Sequence, residues 1–573
     1  MKSMKQKKKQ KNKYQYMLEF FSPLERSLSL CYLFFMVGVF PLYVKNQYEA
    51  IGDAKYQLFF YSTLFYLGAS FLLYVVKKII EVREEKENTG KDSYPSRKNK
   101  EKTAVADRQV GQKEELAKKV NRWLEEISSI DLAVFAYGFF VLLSFLLSDH
   151  KEYALWGANG WEMGLISQMM FVGIYFFLSR QKQRYEVALG IYLIASALTF
   201  LLGILHRFQI DPLGMYEGLN LLQMTEFLST IGQATWFSSY ICTVFPLGLL
   251  LQYVVKEKKW KYLMGIYYVI SFGIVVTQNS DSAFFALAGI MALLALFSCK
   301  KIEYWKHFLE IMIYLWGTFV AVGILQRIFW ERAIPLNTLS VFFSQNIFSM
   351  VMLTVSVIFY LAYKKVKEER IPEVMKVTSL VIKIGAVLAV VLLLGTILFI
   401  YWNTTGVLLS LFGYQSTNNY LYFDGHWGNN RGSSWMIAWQ EFRQLPLYQK
   451  LFGVGPDAFS AHLYNVPQVQ ERLQQLWGNL RLTNAHNEYL NSLFCYGIFG
   501  LLSWITLLIT SIARYGKKAQ ENPLFMGFVL CIAGYSCHNL FCYQQVCCTP
   551  FLFLIMGVAE SYSACFPLTN RRK

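Results

Sequence analysis

The sequence predicts an all-α membrane protein: a polytopic helix bundle of about 12–14 transmembrane helices with one large non-cytoplasmic loop. Of its 573 residues, 54% are hydrophobic and 16% are charged, so the chain is more apolar than soluble domains usually are. Apolar runs of about 17–25 residues, the length that crosses the hydrocarbon core of a bilayer, recur along the chain. The polar segments between these runs alternate between basic-rich and basic-poor, as loops on opposite sides of a membrane do.

The apolar runs divide the chain into five parts. We expect an N-terminal tail with two spans (1–76), a charged linker (77–128), a transmembrane bundle (129–401), a long loop (402–489) and C-terminal helices (490–573). The predicted spans lie near residues 28–44, 58–76, 132–147, 165–178, 187–205, 237–255, 262–276, 283–297, 308–325, 347–363, 380–401, 490–512, 525–541 and 550–562. The linker composition favours a flexible segment, in which Glu114–Trp123 has the pattern of a short amphipathic helix.

The distribution of charge predicts the orientation. The net charge of +17 would favour nucleic acid as a partner of a soluble protein. Here the Lys and Arg residues lie at the termini and in alternate short segments between apolar runs, so membrane lipids are the expected contact and nucleic acid is not. The pattern places both termini and the linker in the cytoplasm, and the long loop on the opposite face of the cell membrane.

The ten cysteines predict neither a disulfide framework nor a metal site. Most of them lie inside apolar runs, and none forms a CxxC pair. Four of them cluster near the end of the chain, at Cys537, Cys542, Cys547 and Cys548. We interpret these as small packing residues rather than ligands, because thiols in or beside membrane spans usually behave as buried hydrophobes.

The long loop contains enough aromatic residues to fold. Arg431, Trp435, Trp439 and Phe442 follow one another at offsets that place them on one face of a helix. We expect this helix to lie at the membrane interface and to end near Leu445, which precedes a proline.

A polar cluster stands at the entrance to the next span, at Arg481, Asn484, His486, Asn487 and Glu488. An imidazole exchanges a proton near neutral pH, and a guanidinium binds phosphate through a permanently charged fork. This combination, placed where lipid phosphates lie, predicts phosphate chemistry. Taken singly, His486 is equally compatible with a helix cap, and Arg431 with a side chain that reaches for headgroups.

Five ordered motifs resemble the large outer loop of O-antigen ligases and Wzy-type polysaccharide polymerases. They are Arg431-Gly-Ser-Ser-Trp435, Leu-Pro446, Leu-Phe-Gly453-Val-Gly455-Pro456, Asn484-Ala-His486-Asn487-Glu-Tyr489-Leu490 and Gly497-Ile-Phe-Gly500. The resemblance is densest over residues 425–500 and does not extend to the first two spans or the linker.

The resemblance implies a helical membrane enzyme that moves a glycan from a polyprenyl pyrophosphate to an acceptor hydroxyl outside the cytoplasm, without a metal or other cofactor. It makes His486 the base that deprotonates the acceptor and Arg431 the cation that stabilises the departing pyrophosphate, in agreement with the charge that develops there. Asn487, Glu488 and Trp435 become candidates for substrate binding. Arg481 is either a second phosphate ligand or the partner of Glu488 in an ion pair.

The chain departs from the family pattern in two places. Gly232–Trp236 is only partly similar to a family element before a mid-chain span, and Asn279–Ser282 stands where the family carries a Ser-Arg pair. Arg207, Arg327 or Arg332, each predicted near the outer face, could replace the missing arginine, and we include Arg332 among the candidate substrate-binding residues.

Two polar residues beside the spans have two open interpretations each. Asp281, also a candidate for substrate binding, is either a site residue or a helix N-cap. His538 is either a site residue or a polar contact between helices.

Two functions fit the whole sequence. The first is a glycosyltransferase that polymerises or ligates glycans for the cell surface, with a lipid-linked oligosaccharide as donor and a glycan or lipid as acceptor. The alternative is a transporter or flippase of the same lipid-linked oligosaccharide, although the two related halves typical of transporters are not visible. The sequence does not choose between polymerase and ligase.

Overall fold

The computed structural model describes residues 13–91, 127–478 and 480–566, and within them nearly all regular structure is helical. The first seven described helices along the chain are α1 (Lys13–Leu42, with a π-helical turn at Phe35–Val39), α2 (Ile51–Lys91), α3 (Ser129–Leu147), α4 (Lys151–Trp156), α5 (Leu165–Ser179), α6 (Glu186–Arg207) and α7 (Leu221–Glu226). The next group is α8 (Ala234–Val254), α9 (Lys258–Thr277), α10 (Ser282–Ser298), α11 (Ile302–Ile328), α12 (Thr338–Gln345), α13 (Ile347–Lys364) and α14 (Ile371–Thr404).

The remaining helices form the long loop and the C-terminal part. In the loop they are α15 (Val407–Phe412), α16 (Trp427–Gln444), α17 (Leu447–Phe452), α18 (Phe459–Leu463) and α19 (Pro467–Trp477). After the loop follow α20 (Glu488–Lys518), α21 (Leu524–His538) and α22 (Thr549–Ala564). The described strands are β1 (Phe227–Leu228) and β2 (Gly232–Gln233), an antiparallel pair in which Phe227 faces Gln233.

The all-α polytopic membrane bundle predicted from the sequence is confirmed. Ten of the described helices are long and apolar enough to cross a membrane, and the shorter apolar helices α5, α10 and α21 accompany them. Every predicted span overlaps one of the helices. The protein is therefore a multi-pass membrane protein.

The centre of the bundle is α8. In its most apolar stretch 89% of the residues are buried, because α21, α9 and α10 pack around it. The C-terminal helices complete this core: α20 packs on α3 and α21, and α22 packs on α5. By contrast, the apolar stretch of Glu368–Thr404 has no buried residue, so the helix α14 stands at the periphery.

Two boundaries differ from the prediction. The helix α2 continues to Lys91, well into the predicted linker, because the charged residues after 77 are good helix formers. The predicted amphipathic helix over Glu114–Trp123 lies outside the described residues. The span predicted over 525–541 ends at His538, and residues 539–548 form a loop that turns back into the bundle.

Two glycine motifs hold the long loop against α20. Gly497 has a φ of +71° and interrupts the helix, which leaves the carbonyls of Phe494 and Cys495 free. These carbonyls accept hydrogen bonds from the backbone N–H groups of Val454 at 3.1 Å and Gly455 at 3.0 Å. A Cβ atom on Gly497 would lie 2.4 Å from the backbone of the opposite segment, so the contact needs glycine.

Candidate functional site

Arg431 is positioned at the true start of the helix α16. Gly428, Asn429 and Asn430 all have positive φ, so the regular helix begins only after them. Glycine and asparagine tolerate this conformation better than other residues. The Arg431 Nη1 donates to the Gly428 carbonyl at 2.8 Å, and its Nε donates to the Phe541 carbonyl at 3.1 Å. These two bonds fix the guanidinium at the C-terminal side of α21.

His486 is positioned by a strained turn before α20. Its φ of +48° is unfavourable for a residue with a Cβ atom and costs on the order of 1–3 kcal/mol. Asparagine side chains hold the turn: Asn484 Oδ1 accepts from the His486 N–H at 3.0 Å, and Asn491 Oδ1 accepts from the Ala485 N–H at 3.2 Å. A backbone held in such a conformation beside a reactive side chain is typical of functional sites.

The imidazole of His486 and the guanidinium of Arg431 lie within electrostatic range of each other. Burial, and then the charge of Arg431, lower the pKa of His486 to about 4, so the imidazole is uncharged at neutral pH. Burial also lowers the pKa of Arg431, but a guanidinium keeps its charge. Within the described residues neither ring nitrogen of His486 nor the Arg431 Nη2 has a hydrogen-bond partner. The pair thus offers a neutral base and a cation with unused hydrogen-bonding capacity.

The residues that join these two groups were not predicted from the sequence, because they belong to the loop after α21. The Tyr543 ring packs edge-on against the His486 ring with centroids 5.4 Å apart. Its hydroxyl accepts from Trp236 Nε1 at 3.0 Å, and burial raises the pKa of Tyr543 well above its usual value. Trp236 ends the element that is only partly similar to the family pattern, so that element nevertheless reaches the site. The polar Tyr543-Gln-Gln stretch between two apolar runs was the available signal.

Trp435 lies at the margin of the site. Its ring stacks on Phe541, the residue whose carbonyl binds Arg431, and also contacts Trp427 and Phe423. The predicted helix with its aromatic face is confirmed over this segment, and it ends at Gln444 beside Leu445. The buried indole Nε1 of Trp435 has no hydrogen-bond partner among the described residues.

Asp281 is brought near Arg431, although it is far from it in sequence. It occupies the N-cap position of α10 without a capping side-chain bond; instead it accepts from Asn337 Nδ2 and, at 3.0 Å, from the Tyr420 hydroxyl. Burial raises the pKa of Asp281, and the nearby Arg431 opposes that shift. The helix-cap interpretation is therefore wrong for the side chain, and Asp281 remains a candidate at the rim.

Asn487 and Glu488 follow His486 in the chain and connect its turn to neighbouring parts of the protein. Asn487 is the N-cap of α20, and its Oδ1 accepts from the Leu490 N–H at 2.9 Å, so His486 is not the cap. The buried carboxylate of Glu488 accepts from Asn539 Nδ2 and from Gln544 Nε2 at 3.2 Å. These contacts predict a positioning role for both residues and tie the His486 turn to the loop after α21.

His538 is a polar contact between helices. Its Nε2 lies 3.0 Å from the hydroxyls of Ser282 and Ser238, on α10 and α8, and its Nδ1 lies 3.3 Å from Asn539 Oδ1. The side chain is fully buried, and its two ring nitrogens have partners. The interpretation of His538 as an interhelical contact is thus confirmed.

The other arginines lie apart from the pair. Arg481 does not pair with Glu488: its Nε donates to Ser460 Oγ at 2.7 Å, and its guanidinium lies over the Tyr464 ring. Arg332 is exposed on the turn after α11 and makes no described contact with the pair. Arg207 is fully buried, and its nitrogens donate to four backbone carbonyls, so it is not free to bind phosphate.

Residues 333–505 match a family model described as O-Antigen ligase. No curated protein matches the chain. The matched segment contains Arg431, His486 and all the motifs that carry the resemblance. The match supports the likeness to the O-antigen ligase superfamily that the resemblance predicted.

Proposed function

We propose, from the likeness of residues 333–505 to the O-antigen ligase family, that this membrane protein transfers a glycan from a polyprenyl pyrophosphate to an acceptor hydroxyl. The reaction takes place on the non-cytoplasmic face and serves cell-surface polysaccharide biosynthesis. One observation carries the proposal: a neutral imidazole and a fixed guanidinium lie in electrostatic range of each other, and neither is fully used by the fold.

In the proposed reaction His486 takes the proton of the acceptor hydroxyl as the acceptor oxygen attacks the anomeric carbon of the donor. The bond between that carbon and the pyrophosphate oxygen breaks, and its electron pair leaves with the pyrophosphate. Arg431 stabilises the charge that grows on the leaving group, which is the largest electrostatic demand of such a step. The proton then passes from His486 to water, and the imidazole is neutral again.

The charges around His486 favour its role as a base once the donor is bound. In the free protein burial, and then the cation of Arg431, keep the pKa of His486 low, at about 4. A bound pyrophosphate brings negative charge beside the same cation, which favours the protonated imidazole and raises that pKa toward the working pH. His486 thereby becomes a stronger base when the donor is bound than when the site is empty.

The orientation of the chain is part of the proposal. The basic-rich segments indicate that both termini lie in the cytoplasm, so that the loop between α14 and α20 faces outward. The donor is then a lipid-linked oligosaccharide already on the outer leaflet, and the acceptor is a glycan or a lipid. The proposed catalytic loop is the fourth of the five regions into which the apolar runs divide the chain, residues 402–489.

Reconstitution tests the proposal. The full-length protein is placed in liposomes with lipid-linked oligosaccharide extracted from the cells that produce it, and both chain length and free polyprenyl pyrophosphate are followed. We expect wild type to release pyrophosphate lipid and to form longer or transferred glycan, and both His486→Ala and Arg431→Ala to stall while remaining monodisperse.

Two outcomes would contradict this. Glycan transfer by His486→Ala at the wild-type rate would show that His486 is not the base. Movement of intact donor between leaflets by wild type, without any release of pyrophosphate lipid, would instead support the transporter.

A further inference from the structure

A polar cleft of about 640 Å³ lies beside the candidate site, between the segment after α3 and the segment around α18. Its volume is within the usual range of small-molecule sites, about 300–1,000 Å³. Two charged residues that line the cleft are already hydrogen-bonded within the protein. Asp149 Oδ2 accepts from Gln449 Nε2 at 2.9 Å, and Lys151 Nζ donates to the Phe145 carbonyl at 2.7 Å.

Arg481 is held in this cleft with part of its guanidinium unused. Its Nε donates to Ser460 Oγ at 2.7 Å, and its Cζ lies 4.8 Å from the centroid of the Tyr464 ring and 6.0 Å from that of Tyr153. The two rings and the hydroxyl restrict the side chain, although it is exposed. Within the described residues its Nη atoms have no acceptor, so they can donate to a ligand in a fixed direction.

The remaining lining offers surfaces that suit a sugar. The Trp156 side chain is 46% exposed and presents a flat apolar ring, while Asn159 and Asn465 expose amides that both donate and accept. Pyranose rings combine an apolar C–H face with a rim of hydroxyls. An aromatic ring between amides and a guanidinium matches that combination.

The cleft shares a wall with the candidate site. Gly157 lines the cleft, and a Cβ atom there would lie 2.6 Å from Asp457 Oδ2. On the other side Asp457 lines a small cavity together with Asn484 and Tyr543. Tyr543 in turn packs on the ring of His486. Arg481 also stands only five residues before His486 in the chain.

We infer that this cleft binds the sugar residues of the acceptor glycan, with stacking on Trp156 and hydrogen bonds from Arg481 and the exposed amides of Asn159 and Asn465. The inference rests on the proposed function. It gives the acceptor a subsite of its own beside the wall at Gly157, separate from the pyrophosphate position at Arg431. It also assigns to Arg481 a sugar ligand in place of the phosphate that the sequence suggested.

Direct binding tests the inference. The probe is the oligosaccharide released by mild acid from the lipid-linked donor of the producing cells, because a growing chain of the same repeat carries these sugars as acceptor. Its affinity for the full-length protein in detergent is measured by calorimetry. We expect Trp156→Ala to bind about tenfold more weakly, as for the loss of one central aromatic contact. Asn465→Ala should weaken binding by about threefold, which covers the case in which the tryptophan variant fails to fold.

Two matched variants separate this result from the proposed function. Trp330 is 70% exposed and lies on a segment predicted to face the same side, so Trp330→Ala should bind like wild type. His486→Ala should also bind the oligosaccharide normally while it fails to transfer. Equal binding by wild type and both cleft variants, or no binding by wild type, would overturn the cleft assignment. Binding that depends on Trp156 without any donor consumption by wild type would overturn the proposed function alone.

Discussion

His486 and His538 lie in neighbouring parts of the molecule, yet their surroundings differ in kind. The ring of His538 is fully buried, and its nitrogens face the hydroxyls of Ser282 and Ser238 and the amide of Asn539. The ring of His486 is half-buried, packs on Tyr543 and has no hydrogen-bond partner within the described residues. A polar group that the fold has satisfied contributes to stability, whereas one left unsatisfied next to a cation is available to a ligand.

The sharpest test of this comparison replaces each histidine by glutamine. Glutamine can hydrogen-bond but cannot take up a proton, so His486→Gln should lower the transfer rate by about 10²–10⁴-fold and leave the melting temperature unchanged. His538→Gln should keep most of the rate and lower the melting temperature, because a flexible amide cannot reproduce the buried ring whose two nitrogens contact Ser282, Ser238 and Asn539. Rates and melting curves are measured on the same preparations. The comparison fails if the two variants behave alike.

The second prediction concerns the geometry of Arg431. Its Nη1 and Nε bind two carbonyls while Nη2 stays free, which a lysine cannot reproduce with one ammonium group. We expect Arg431→Ala to lose about 10²–10³-fold in rate and Arg431→Lys to recover only part of it. The control is Arg443→Lys, an exposed position on the same helix, which should be neutral in the same transfer assay. A fully active Arg431→Lys would show that charge alone suffices.

Third, the hydrogen bonds of the buried Glu488 carboxylate stabilise the protein. Glu488→Ala removes the acceptor of Asn539 and Gln544, and we expect it to lower the free energy of unfolding by about 1–3 kcal/mol. Glu488→Gln retains an acceptor oxygen and should recover part of this loss. Thermal unfolding in detergent measures both, with the exposed Glu471→Ala as control. No loss of stability in Glu488→Ala would mean that the network does not hold the His486 turn.

The smallest expected effect is a shift in pH dependence. The pKa of His486 in the protein without bound donor is about 4. We therefore expect kcat/KM to stay level from neutral pH downward and to fall only as the pH approaches 4. The decline of kcat should begin at a higher pH, since the bound pyrophosphate raises the pKa of the imidazole. Arg431→Gln removes the opposing cation and should move the kcat/KM limb upward. An acid limb of kcat/KM near 6.5 in wild type would contradict the lowered pKa that burial and Arg431 give His486.

Much of the molecule follows from local pattern. The length of the apolar runs predicted every span that the structure shows as a helix, because crossing a bilayer is a property of one segment. The helix from Arg431 to Gln444 and its end beside Leu445 followed from periodicity and the next proline. The ordered motifs also predicted the family likeness that residues 333–505 carry.

The tertiary structure alone decided which groups meet. The Arg431 Nε binds a carbonyl 110 residues away, and Tyr543 reaches His486 because α21 ends early and its loop turns inward. In the same packing Arg481 bonds to Ser460 and not to Glu488, and Arg207 donates hydrogen bonds to backbone carbonyls. Such contacts depend on how helices distant in sequence pack around α8, and no local pattern encodes that choice. Composition and periodicity describe single segments, whereas a site is a property of several segments at once.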